Sequence, residues 1–497
     1  FATGQVSAAA LNYLQVPGFQ RGINGETVAS AVITGRLGDY GIQTPWANEG
    51  VGVAIGAEYR KESLEFSADA TFQTGDLAGQ GAPTLPVSGS FNVKELFAEA
   101  RIPLVTNDFI DLATVTTGYR YSSYENSSGA TFSTNTYKVE GELGIIPDFR
   151  FRGGYNRAVR APTVQDLFSP NFVGLDGASD PCAGHTITAG AADAGCRAQG
   201  LAVGANVAPN PASQYNGLFG GNANLNPEVA DTYTVGIVFQ PTFVPRLAIS
   251  VDWYKIDLTG AIGGIGADTI LNVCQNTADP FFCGLVHRDA SGSLWRTSDG
   301  YVNDTTQNIG GVSTTGIDIN ASYSYEVAGI GQFSATYVGT LLDEVVTDTG
   351  LTGPGVTPTY DCAGLYGNTC GTPNPKYRHT ARIGWTSTFG VGASVRWRHF
   401  SGVIVDTRST NSNLSGVFAP LNARIDPVDY FDLALNARIG KSYSFRLGVN
   451  NILDKSPPIT GSGGRSACPS GPCNGNSWAQ VYDPLGRYLF AGVTLDF

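Results

Sequence analysis

The chain has 497 residues, a formal net charge of −12 and a pI near 4.8. That acidic balance argues against nucleic acid as a partner, because such binding rests on neutralising phosphates. Only 14% of residues are charged, while Gly numbers 64 and aromatics make up 11%, a composition of strands and turns. No stretch approaches the roughly 18 consecutive apolar residues that a transmembrane helix needs. A membrane span would therefore have to be a closed β-barrel, which satisfies every backbone group without helices.

The chain starts at Phe1-Ala2-Thr3 in mid-pattern, with no Met and no leader-like segment; we read it as the remainder of a longer precursor. Residues 6–14 read as weakly helical, inside a loop. Fifteen strands are then expected, near 26–37, 50–64, 92–104, 109–124, 134–146, 149–159, 230–240, 245–258, 313–326, 331–346, 377–389, 391–404, 428–439, 442–452 and 486–497. The signal is a period of two. Ala113, Val115, Thr117, Tyr119 and Tyr121 alternate with Thr114, Thr116, Gly118 and Arg120. Leu247, Ile249, Val251 and Trp253 alternate with Ser250, Asp252 and Tyr254. Val391, Ala393, Val395 and Trp397 alternate with Gly392, Ser394, Arg396 and Arg398. Tyr443, Phe445, Leu447 and Val449 alternate with Ser444, Arg446, Gly448 and Asn450. Arginines on the inner rows do not suit a dry sandwich, where unpaired charge is expensive. They suit a barrel with lipid on one face and a wet lumen on the other. Leu489, Ala491, Val493, Leu495 and Phe497 carry the apolar row to the last residue, backed by Tyr488, Phe490, Gly492, Thr494 and Asp496.

Connections alternate in length. Pro147-Asp148, Pro241 to Pro245, Ala328 to Gly331, Phe389-Gly390 and Gly440-Lys441 are short. Residues 65–91, 160–229, 259–312, 347–376, 405–427 and 453–485 form long loops. Short turns at one rim and long loops at the other are the expected asymmetry of an outer-membrane barrel, periplasmic and extracellular respectively.

The eight cysteines fall in four close pairs: Cys182 with Cys196, Cys274 with Cys283, Cys362 with Cys370, and Cys468 with Cys473. Each pair lies in one long loop, and by strand parity all four loops leave the same rim. We expect four local disulfides, since isolated pairs lack the ligand count of a zinc site.

These segments resemble the C-terminal barrel of TonB-dependent outer-membrane receptors. The likeness rests on Phe490-Ala491-Gly492-Val493-Thr494-Leu495-Asp496-Phe497, similar to the family's terminal assembly signal, and on Gly448-Val449-Asn450-Asn451-Ile452-Leu453-Asp454-Lys455-Ser456-Pro457-Pro458 before the last loop. Tyr155 to Phe168 looks like the mid-barrel signature, and Asn222 to Thr234 like the re-entry from a long loop. Ala54 to Arg60 and Val93 to Glu99 also fit. The resemblance implies an all-β, transmembrane antiparallel barrel of about 22 strands around a plugged lumen, of which about fifteen are visible over residues 1–497. The plug domain, the box that engages TonB and the first strands are not visible. It further implies a Gram-negative outer-membrane location. Partners would be lipid and lipopolysaccharide, the barrel-assembly machinery reading Phe490, Gly492, Leu495 and Phe497, and the TonB complex acting through the N-terminal region.

Candidate contacts follow. Arg120, Arg396, Arg398 and Arg446 are expected in the lumen, facing an anionic ligand or plug carboxylates. Arg157 and Arg160 are expected as a lumen-facing pair on one strand, either structural or contacting ligand or plug. In the loops, Tyr215, Trp295, Tyr366 and Trp478 either contact ligand or pack the loops together. Asn450, Asn451 and Asp454 are expected to close the top of a strand through local hydrogen bonds. The four histidines, His185, His287, His379 and His399, form no metal or nucleophile motif, so no catalytic residue, metal or cofactor is expected. The expected function is TonB-coupled import of a scarce, large nutrient: an iron chelate, a cobalamin-like compound or an oligosaccharide. A passive channel or a structural or adhesive barrel is the alternative.

Overall fold

The computed structural model describes residues 6–75, 77, 82–107, 110–177, 179–350, 359–367, 369–440, 442–460 and 477–495. Fifteen long strands carry the fold. They are β1 (Gln20–Arg36), β2 (Gly52–Ala68), β3 (Val87–Val105), β4 (Leu112–Asn126), β5 (Thr131–Ile146), β6 (Phe149–Arg160), β7 (Glu228–Phe239), β8 (Ala248–Gly263), β9 (Gln307–Val327), β10 (Gly331–Asp348), β11 (Tyr377–Thr386), β12 (Val391–Phe400), β13 (Val428–Ile439), β14 (Tyr443–Asn450) and β15 (Tyr488–Leu495). Each pairs antiparallel with its sequence neighbour, in one sheet running from β1 to β15. A short helix, Ala8–Leu14, precedes β1. No helix among the described residues is long and apolar enough to cross a membrane.

All fifteen expected strands are present. Several run further than the period-two pattern indicates. β9 starts at Gln307 rather than near 313, because Gln307 to Gly311 stay paired with β8 up to Gly263. The connections keep their asymmetry with two exceptions. Residues 127–130, on the long-loop rim, form a tight turn in which Asn126 Oδ1 accepts from the amides of Ser128 and Ala130 at 3.0 Å each. Residues 37–51, on the short-turn rim, make a longer excursion opening with a 3₁₀ turn at Leu37–Tyr40.

Register separates the two faces. Ile383, Val395, Leu433, Val449 and Leu489 stand opposite one another across β11 to β15, an apolar row on the outer face. On β3, Leu96 is 63% exposed while its neighbour Glu95 is 6% exposed. Aromatic rings gather at both ends of this outer face. Near the loops, the Tyr155 ring lies 5.9 Å from Tyr137 and 5.0 Å from Tyr233. Near the turns, Phe149 and Phe239 are 4.6 Å apart, and Trp385 and Phe389 6.5 Å. On β6 the two belts are roughly 20 Å apart along the strand at about 3.3 Å per residue. An apolar band between two aromatic girdles is what a lipid-facing barrel wall requires.

The opposite face carries charge, and the chain leaving β6 folds back over it. The helix Val164–Phe168 is fixed by a reciprocal capping box between Thr163 and Asp166. It places Val164 against Phe91, Val93 and Tyr124 on the inner face of β3 and β4.

Candidate functional site

The inner wall is lined with ion pairs between strands. Arg120 donates to Glu95 at 2.8 Å and lies 4.5 Å over the Phe97 ring; Ser122 holds the other Glu95 oxygen. Arg160 grips Glu228 at 2.5 and 2.8 Å and reaches Asp166 at 3.3 Å. Arg396 and Arg398 share Asp432 at 2.7 and 3.0 Å, and the Asn451 amide donates to the same carboxylate at 2.8 Å. Arg398 also reaches Asp483, beyond the strands, at 3.0 Å. Arg152 clasps Asp252 through two bonds of 2.7 and 2.6 Å, skipping over β7. The residue between them in register is Gly236, where a Cβ would collide with the Asp252 carboxylate.

Arg157 stands elsewhere. Its register partners are Tyr137 and Asp231, on the face of Tyr155, Val139 and Val235, and it holds Asp231 at 2.9 and 2.7 Å on the outside of the wall. The expected lumen pair of Arg157 and Arg160 is thus corrected: residues three apart on a strand point to opposite faces. The odd spacing was the available signal. The carboxylates Glu95, Glu228, Asp231 and Asp432 were not identified as partners of the arginines from the sequence. Their signal is cross-strand register, which one sequence does not supply.

Above the strands, the long loops fold into two caps. The first joins residues 161–227 and 264–306. Its sheet runs Val286–His287, Tyr301–Asn303, Tyr215–Phe219 and Phe172–Gly177 in that order. The helix Ala267–Thr277 buries Ile270, Leu271, Val273 and Cys274 on its inner face. Disulfides link Cys182 to Cys196 and Cys274 to Cys283. Between the two loops, Arg288 clamps Asp180 at 2.8 and 2.9 Å and Gln199 at 3.0 and 2.6 Å; the Arg288 and Asp180 side chains are 4% and 1% exposed. At the start of the helix, Asp176 accepts from the Ala267 amide, and Asp304 from those of Ile265 and Gly266. Burial, and then the charge of Asp304, pushes the Asp176 carboxyl up to about 6. Burial also raises Asp304. On the rim of this cap, hydrogen bonds from Thr188 and His185 hold Asp193 down to about 2, and Asp193 in turn raises His185.

The second cap joins residues 359–376, 401–427 and 477–487. Leu365–Tyr366 runs parallel to Val403–Val405, which pairs antiparallel with Arg424–Ile425. Cys362 and Cys370 form its disulfide. Tyr366, Trp478 and Tyr482 are buried with Val428 and Tyr430 of β13. The Tyr366 hydroxyl donates to the Asn422 carbonyl at 2.5 Å; burial, together with Asp406, pushes it up to about 12. Asn451 closes the top of β14 as anticipated, bonding the Lys455 carbonyl and amide at 2.8 Å each. Asp454 accepts from the Arg487 amide.

The loop aromatics are therefore placed inside the caps. Tyr215, Tyr366 and Trp478 are buried. Trp295 is half-buried, packed against the first cap's core, and donates to the Ala208 carbonyl at 3.2 Å. At the three buried positions the rings face loop cores rather than an open ligand surface, the packing use rather than the ligand contact. Of the terminal-signal residues, Phe490 covers Gly448 on the inner face, Gly492 lies beneath Arg446, and Leu495 faces outward opposite Tyr443. Cys468, Cys473 and Phe497 lie outside the described residues. No cluster of three or more His, Cys, Asp or Glu suited to a metal ion occurs among the described residues.

The family model for the TonB dependent receptor-like β-barrel matches residues 6–452. The fold is similar to the ferric enterobactin receptor of Pseudomonas aeruginosa, at 15% identity and a TM-score of 0.59, over 96% of this chain and 55% of that one. It is also similar to the siderophore receptor of Acinetobacter baumannii, at 13% identity and a TM-score of 0.56, over 96% and 55% of the two chains. The hemophore receptor of Serratia marcescens aligns at 13% identity and a TM-score of 0.52, over 96% and 60%. The chain thus spans a little over half the length of these solved receptors. A search of curated proteins finds no match.

Proposed function

The chain belongs to the TonB-dependent receptor β-barrel family, and on that premise we propose that it forms the barrel wall of an outer-membrane receptor importing an iron chelate by TonB-coupled transport. The observation that carries this reading is the pair of folded caps standing on a wall whose inner face is charged and outer face apolar. Such caps offer preformed surfaces that lose little entropy on binding a large solute. The wall beneath offers a polar path. The named ligands of the similar receptors, enterobactin in one and heme in another, favour an iron-bearing cargo over the cobalamin-like or oligosaccharide alternatives. Lipopolysaccharide, the barrel-assembly machinery and the TonB complex are the partners this reading entails, in the outer membrane of a Gram-negative cell.

The test is growth of a deletion strain under iron limitation, supplied in turn with catecholate, hydroxamate and citrate chelates and with heme. Loss of growth on one source, restored by the gene but not in a TonB-deficient background, is the expected result. Unimpaired growth on every iron source, or uptake that persists without TonB, would overturn it.

A further inference from the structure

We propose that Arg382, Arg396 and Arg446 form an oxyanion site on the inner wall of β11 to β15, taking a carboxylate-bearing group. Arg382 and Arg396 stand directly opposite each other on β11 and β12, a like-charge pairing that destabilises a sheet unless something neutralises it. Arg446 points into the same cavity of about 220 Å³, which Ser394, Asp432, Asn450 and Phe490 also line. Its guanidinium rests over Gly492, where a Cβ would come within 3.8 Å of Nη2.

Among the described residues, the wall neutralises this charge only in part. Asp432, the carboxylate lining the cavity, is already shared by Arg396, Arg398 and the Asn451 amide. Arg398 divides its donors between Asp432 and Asp483. Among the described residues, four guanidiniums, Arg382, Arg396, Arg398 and Arg446, thus face two carboxylates, Asp432 and Asp483. Among the described residues, Arg382 finds only the Ser394 hydroxyl, at 2.8 Å. By contrast, Arg120, Arg152 and Arg160 of the same wall each have a carboxylate. Guanidinium forks match planar oxyanions in bidentate geometry, and the cavity has room for a small carboxylate-bearing group and little more. Asn450 adds an amide and Phe490 an apolar side.

The inference deepens the receptor reading by giving the lumen a chemically defined contact. The carboxylate could belong to a soluble anion or to a protein segment seated in the lumen, and arginine footprinting separates the two. The folded full-length protein in detergent is treated with phenylglyoxal, and modification of Arg382 and Arg446 is followed by mass spectrometry. Tricarballylate, a tricarboxylate, is compared with chloride at equal ionic strength.

If the source is soluble, both arginines react freely alone. Tricarballylate at four times its Kd then slows them about fivefold, as 1 + [L]/Kd requires, and R396Q lessens the protection. If a protein carboxylate holds them, both resist without added anion and become reactive as sodium chloride is raised. Free reaction with no protection beyond that of chloride, or resistance indifferent to salt, would overturn the proposal. None of these readouts depends on uptake, so failure here leaves the receptor reading standing, and failure of growth tests leaves this site standing.

Discussion

In the first cap the main buried core comes entirely from loop residues, from Tyr215 to Val302. In the second, Val428 and Tyr430 of β13 supply part of the core, and Arg398 of β12 lies 4.9 Å from the Tyr430 ring while reaching Asp483. The first cap is therefore a small domain tied to itself by two disulfides and a buried ion pair. The second is an outgrowth of the wall. A change in the lumen near Asp432 has a direct path into the second cap and none of that kind into the first.

The sharpest way to break this contrast is Arg288→Ala. It strands Asp180 in a site that is 1% exposed, and losing one partner of a buried pair costs about 3–5 kcal/mol. Hydrogen exchange should rise across residues 172–219 and 286–303 while the second cap and the strands stay protected. Equal loss of protection in both caps would refute their independence. Replacing Cys182 and Cys196 by Ala comes next. They close a loop with a sequence separation of 14, worth about 3 kcal/mol in the chain-entropy model. Proteolysis should then begin within residues 183–195, with the second cap again intact.

Arg398→Ala probes the other plan. Charged hydrogen bonds of this kind contribute about 1.5–3 kcal/mol, so exchange should rise in residues 477–487 and at the tops of β12 and β13 together. A rise confined to the loop would show that the second cap is not coupled to the wall.

The last effect is a pH dependence peculiar to the first cap. Asp176 titrates near 6 in the folded cap, against an ordinary value of 3.8. A carboxyl with a raised folded value binds its proton more tightly folded than unfolded. The cap therefore gains stability as pH falls from above 6 toward 4 and gives it back as pH rises. Asp176→Asn should flatten that profile in a melting series from pH 7.5 to 4. A variant that keeps the wild-type slope would move the effect to another group.

Much of the wall was legible because a lipid-facing strand imposes alternation on every residue. The caps were not, because their strands are short and pair across dozens of residues: Phe172–Gly177 finds Tyr215–Phe219, and that finds Tyr301–Asn303. A local signal existed at Ile270, Leu271, Val273 and Cys274, whose spacing marks one buried face of a helix. Burial of Tyr215, Tyr366 and Trp478 follows from those non-local pairings, so exposure could not be judged from aromatic type alone. For the arginines, alternation with the apolar row gave the face of Arg120, Arg396, Arg398 and Arg446. Their partners depended on register, and Arg157 shows how one odd interval reverses the side.

The vacancy at Gly236 reaches further than its own strand. A strand must slip by two residues to keep its faces, and either slip would bring Thr234 or Val238 under the guanidinium that crosses from β6 to β8. Both carry a branched side chain where the crossing needs none. The atoms that one residue lacks therefore set the alignment of three strands, and a misthreaded wall would announce itself by leaving Arg152 and Asp252 apart.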